Sequence, residues 1–93
     1  MKSANRRETV SHVFVDYIPE EMENGVVYVS LLYEIAVHRC CCGCGENVVT
    51  PIGDTGWTLT SDDQSITLHP SIGNFNQPRR SHYWIQRDRV VWC

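Results

Sequence analysis

Trp57-Thr58-Leu59-Thr60-Ser61-Asp62-Asp63-Gln64-Ser65-Ile66-Thr67-Leu68 is the stretch from which the fold class follows. Two runs mixing threonine with large apolar residues flank Ser61 to Gln64, a polar, acidic segment of the kind that reverses a chain. This pattern predicts an antiparallel hairpin with an acidic turn. Toward the C-terminus it repeats: Tyr83-Trp84-Ile85 and Val90-Val91-Trp92 are strand-like and separated by the charged turn Arg87-Asp88-Arg89. Toward the N-terminus, Val48-Val49-Thr50 is a strand fragment stopped by Pro51, and Val26 to Ser30 is β-branched and aromatic. Val10 to Ile18 carries Val13, Val15 and Tyr17 at alternate positions, the two-residue period of a strand, until Pro19 ends it.

Two segments depart from this pattern. Leu31, Leu32, Ile35 and Ala36 have helical spacing, but the run is short and reads as a bent strand leading to His38. His69 to Phe75 contains Pro70, Gly73 and Asn74, which predict a shaped loop. The expected fold is mainly β, a small single-domain antiparallel sheet with a flexible N-terminus over residues 1–9 and one zinc-binding β domain over residues 10–93.

With 93 residues, 42% of them hydrophobic and 10% aromatic, the chain has the composition of a folded domain with a modest core, small enough for a metal staple to matter. A formal net charge of -3 gives no ground for a nucleic-acid partner, although Arg79, Arg80, Arg87 and Arg89 concentrate positive charge near the end. Apolar runs such as Val26-Val27-Tyr28-Val29 are too short for a membrane helix, and no apolar segment follows a basic start as in a signal peptide. A cytoplasmic protein without a membrane partner is expected.

His38-Arg39-Cys40-Cys41-Cys42-Gly43-Cys44-Gly45 places four of the five cysteines within five positions. Cysteines this crowded pair poorly with one another, and their odd total suits a reduced metal site better than a disulfide framework. Thiolate and neutral imidazole are the ligands zinc prefers, and four of them close a tetrahedral structural site. The expected zinc set is Cys40, Cys42 and Cys44 with the distant His82; Cys41-x-x-Cys44 is a rival choice with the commoner spacing. The bland alternative, free buried thiols, has difficulty accounting for so many in one place.

These motifs together carry a resemblance. His38-x-Cys40-x-Cys42-Gly43-Cys44-Gly45, then Val49-x-Pro51, Trp57, Leu68-x-Pro70-Ser71-Ile72-Gly73-Asn74 and Arg80-Ser81-His82-Tyr83-Trp84-Ile85, resemble a family of small bacterial uncharacterised proteins. That family is encoded beside ubiquitin-like proteins and their activating and conjugating enzymes in predicted defence operons. The resemblance covers roughly Asn24 to Trp92. Cys41 stands where members usually carry proline, and Arg79 where they usually carry cysteine. If the family's zinc uses that second cysteine, Cys41 or Cys93 must replace it here, and the loss argues against that cysteine as an obligatory nucleophile.

The resemblance implies a role for which such operons need a peptidase, to process or remove the ubiquitin-like protein. The residues permit it: Ser71 or Ser81 as hydroxyl nucleophile, His38 or His82 as general base, and amides around Gly73 with the Asn74 side chain as oxyanion donors. A zinc-activated water with Glu46 as base ranks lower, because cysteine-rich sites are mostly closed. The competing class is a non-catalytic zinc-stapled module binding the ubiquitin-like protein or its conjugating enzyme through Tyr83, Trp84, Trp92 and the nearby arginines.

Overall fold

The structure, a computed structural model, describes residues 8–41, 43, 46–74 and 81–92, with the backbone alone at 74 and 81. Its described residues form strands and turns with no helix: β1 (Ser11–Phe14), β2 (Val26–Ser30), β3 (Ile35–Arg39), β4 (Asn47–Pro51), β5 (Thr58–Ser61), β6 (Ile66–Asn74), β7 (Ser81–Gln86) and β8 (Arg89–Trp92). These make two four-stranded sheets in sequence order, β1-β2-β3-β4 and β5-β6-β7-β8. The fold is all-β, as expected, but divided into two sheets. All pairings are antiparallel except β1 with β2, which run parallel because the chain crosses back through residues 15–25.

Tight turns account for the hairpins. At β5–β6, Asp62 Oδ1 accepts the backbone N–H groups of Gln64 and Ser65, the latter at 2.8 Å, and the Ser65 hydroxyl at 2.9 Å. At β7–β8, Arg87 and Asp88 both have positive φ, 51° and 61°, as a two-residue turn matched to strand twist requires. Asp88 also joins the sheets: Oδ1 accepts the Ile66 N–H at 2.8 Å, Oδ2 lies 2.8 Å from His12 Nδ1 on β1, and its carbonyl accepts the Val10 N–H at 2.9 Å. Between sheets, the loop from Ile52 to Trp57 passes so close that a Cβ on Gly56 would lie 2.2 Å from the Pro51 carbonyl oxygen, which excludes any larger residue there.

Val27, Val29 and Ala36 of the first sheet face Ile66, Leu68, Ile72, Tyr83, Ile85 and Val90 of the second across one core, joined by Cys40 and Cys41. Each valine, leucine or isoleucine side chain fully buried there contributes roughly 1.5–3 kcal/mol. The first sheet's other face is closed by Met22, Val15 and Ile18 over Tyr28 and Val37. The outer face of β6 and β7 has no such cover among the described residues.

Three expectations need correction. The segment from His69 to Asn74 is strand: β6 continues through it to Asn74. Pairing shifts between Leu68↔Ile85 and Ile72↔Tyr83, so three residues of β6 face only Trp84, and Pro70, which has no N–H to give, falls within this bulge. The segment expected as a bent strand divides into a turn, Leu31 to Glu34, and β3. The strand expected over Val10 to Ile18 shortens to β1 because the chain beyond Phe14 turns to cover the first sheet. The expected flexible segment over residues 1–9 lies, up to residue 7, outside the described residues; Glu8 and Thr9 pair with β8.

Candidate active site

Strand alternation decides what the second sheet presents to solvent. Ile72 and Tyr83 are a cross-strand pair buried in the core, so their neighbours Ser71, Gly73, His82 and Trp84 point outward. Gly73 is directly opposite His82, and Ser71 is one step along the same face, the diagonal position that a long side chain can reach. Glycine places no side chain between them. The imidazole leans across, and Ser71 Oγ lies 2.7 Å from His82 Nε2. Both residues are half-buried.

This arrangement holds a hydroxyl and an imidazole nitrogen within the reach that proton transfer needs. Beside it, on the same face, the His69 ring lies over Trp84 with centroids 5.4 Å apart. Farther along, an open groove of about 790 Å3 is lined by Glu8, Thr67, Gln86, Arg87, Arg89 and Val91, among others. Neither Ser71 nor His82 lines that groove.

His38 occupies a different environment. It is 1% exposed, on the inner face of β3, with Nε2 2.8 Å from the Tyr83 hydroxyl. The Cys41 N–H also donates to that hydroxyl oxygen, at 3.4 Å. Burial lowers the His38 pKa from 6.5 to about 4 and pushes that of Tyr83 well up, with the neighbouring Cys41 and Cys40 adding to the latter. His38 Nδ1 is buried without a hydrogen-bond partner. His38 therefore lies inside the sandwich, across the second sheet from Ser71.

Of the other expected site residues, Asn74 and Ser81 are a backbone pair at the ends of β6 and β7, and their side chains lie outside the description. Cys40 is buried, its N–H donating to the Glu46 carbonyl at 2.8 Å, while Cys42 and Cys44 lie outside the described residues. Among the described residues no three His, Cys, Asp or Glu side chains are grouped to hold a metal ion. His82, expected as a zinc ligand, has its Nε2 on Ser71. Ser71 and His82 are both among the residues expected from sequence; what pairs them is the parity of Ser71, Gly73 and His82, which follows once His69 to Asn74 is strand.

Residues 14–93 match the profile of a family described as bacterial ubiquitination-like system serine protease (BubE). The chain belongs to this family. The match spans both strands of the Ser71–His82 pair. No curated protein and no solved structure matches the chain significantly.

Proposed function

We propose that this member of a serine protease family of a bacterial ubiquitination-like system cleaves the bond that follows the tail of the ubiquitin-like protein, to mature it or to release it from targets. The observation that carries the mechanism is the 2.7 Å contact between Ser71 Oγ and His82 Nε2. In this reading Ser71 Oγ attacks the scissile carbonyl carbon while His82 Nε2 takes its proton. The carbonyl electrons collapse back, the C–N bond breaks, and the proton passes from His82 to the leaving amine. Water, deprotonated by the same imidazole, then attacks the acyl–serine ester and restores the hydroxyl. Ser71's own N–H, within the bulge, is a donor adjacent to the reacting carbon; the Gly73 amide and the Asn74 side chain are the further donors proposed.

A substrate tail lies on the outer face of β6 and β7 in this proposal, over the His69–Trp84 pair. The test is cleavage of a purified precursor or conjugate of the system's ubiquitin-like protein by the full chain, with Ser71→Ala and His82→Ala as controls. Serine-directed fluorophosphonate labelling should map to Ser71. Labelling at Ser81, or full activity in Ser71→Ala, would overturn the assignment.

Zinc enters as a structural proposal. His38 Nδ1 is a buried nitrogen with no hydrogen-bond partner, two residues before Cys40. A neutral imidazole beside thiols fits zinc, which would staple the cysteine turn to the core. One zinc per chain by elemental analysis, with a lower melting temperature after chelation, is the expected result; metal-free protein of unchanged stability would refute it. The cytoplasm, where such thiols stay reduced, is the proposed compartment.

A further inference from the structure

The turn between β2 and β3 carries three consecutive large apolar residues that the core does not use. Leu31, Leu32 and Tyr33 are 62%, 61% and 57% exposed, and Tyr17, at 68%, packs on Tyr33 with ring centroids 5.6 Å apart. A hairpin tip needs none of them for stability, and a contiguous apolar patch with a polar rim marks an interaction surface. The patch is rigidly built. Ser30, fully buried, donates its hydroxyl to the Asp16 carbonyl at 2.9 Å and accepts the Tyr33 N–H at 3.2 Å. The Ile52 N–H closes the turn on the Glu34 carbonyl at 2.9 Å. A pre-ordered patch loses little conformational entropy on docking.

Charge identifies what fits. From Glu8 to His38 the sequence has six carboxylates, Glu8, Asp16, Glu20, Glu21, Glu23 and Glu34, and no lysine or arginine. Asp16 and Glu34, both exposed, belong to the loops that form the patch. A second copy would set carboxylates against carboxylates, and an anionic membrane would be repelled. The fitting occupant is a protein whose apolar patch is rimmed by basic side chains.

We infer that Tyr17, Leu31, Leu32 and Tyr33 hold the folded body of the ubiquitin-like protein while its tail reaches Ser71. This rests on the peptidase reading above and adds a second contact remote from the reacting atoms. The longest dimension of the chain is 38 Å, so on the order of ten extended residues bridge any two points along it.

The test compares two substrates containing the same scissile bond, the whole ubiquitin-like precursor and a synthetic peptide of its tail, for the native chain and for Leu31→Ser/Leu32→Ser. The expected result is a KM about tenfold higher for the whole protein, with kcat/KM for the peptide within twofold of native. Asp16→Lys, which leaves the apolar residues alone, should raise the protein KM and reverse its increase with salt. An unchanged protein KM in both variants, or equal losses on peptide and protein in both, overturns the inference. So does loss of a dimer in sedimentation, or loss of binding to phosphatidylserine vesicles, as the only effect of the double variant. Binding of the Ser71→Ala chain to the mature ubiquitin-like protein, by calorimetry, separates the two readings. Patch-dependent binding without cleavage by the native chain sinks the peptidase and retains the docking site; cleavage without patch-dependent binding does the reverse.

Discussion

Two histidines lie on opposite faces of the second sheet at the same stretch of β7, and their surroundings suit them to opposite work. His82 lies on the outer face, half-buried, with Nε2 on a serine hydroxyl. His38 lies inside, 1% exposed, with Nε2 on the hydroxyl of the residue next to His82. A general base must accept a proton and give it back, which needs an environment that tolerates the imidazolium and a path for substrate. His38 has neither, since burial holds its pKa near 4. Hydrogen-bond distance is the same kind of fact at both sites; solvent access is what distinguishes them.

The largest expected effect breaks the outer pair. Ser71→Ala and His82→Ala should each lower kcat at least about a thousandfold, equivalent to roughly 4 kcal/mol of transition-state stabilisation. Their thermal midpoints should stay near native, since neither side chain is in the core. Combining them should cost little more than either alone, because the two act as a unit. Additive losses in the double variant would show that they do not.

The next effect belongs to the inner histidine and is read by acid. In the unfolded chain His38 takes up a proton as pH falls below 6.5, whereas the fold refuses it until about 4. Stability from its neutral form is therefore complete above 6.5 and declines between those values. The linkage gives a loss of about 2 kcal/mol by pH 5 and of order 3 kcal/mol by pH 4. Urea denaturation of the zinc-free chain across that range, with the His38 ring followed by NMR, checks the attribution. A ring that titrates near 6.5 in the folded protein would contradict it.

Tyr83→Phe tests the link between the two regions. It removes the hydroxyl that serves both His38 Nε2 and the Cys41 N–H, leaving buried polar groups unmatched. Expected is a loss of about 1–3 kcal/mol in stability, with kcat on a short peptide changed less than threefold. A fall in kcat as large as that of His82→Ala would mean that the inner cluster takes part in the chemistry.

The sequence made the local features legible and concealed those that depend on partners. The turns at Asp62 and Arg87-Asp88 are written in adjacent residues, and the β-branched runs identify their strands. The division into two sheets is not local, because it depends on the chain leaving β4 for β5 through a loop whose close approach at Gly56 is visible only in space. The strand character of the segment after Leu68 is concealed for one reason. Pro70 and Gly73 argue against a regular strand, and β6 accommodates them by a bulge and by an open outer face. Read as strand, the same residues put Ser71 and His82 on one side and exclude His38 from it. Cysteine density makes the distant His82 a candidate for the metal as well, while the buried His38 is the imidazole nearer Cys40 in sequence.

The smallest expected effect sharpens the comparison most, because it sets fold against function at one position. Gly73 faces His82 across the ladder on the exposed side of the sheet. Valine suits a strand better than glycine, which costs backbone entropy, so Gly73→Val should leave the fold intact or slightly more stable. Its branched side chain would occupy the gap through which the imidazole leans toward Ser71. The expected cost is about tenfold in kcat, with Gly73→Ala intermediate, since misplacing a base by a fraction of an ångström weakens proton transfer without abolishing it. A variant as active as native would show that the imidazole reaches the serine without that gap. A variant that unfolds would show that this glycine serves the backbone rather than the pair.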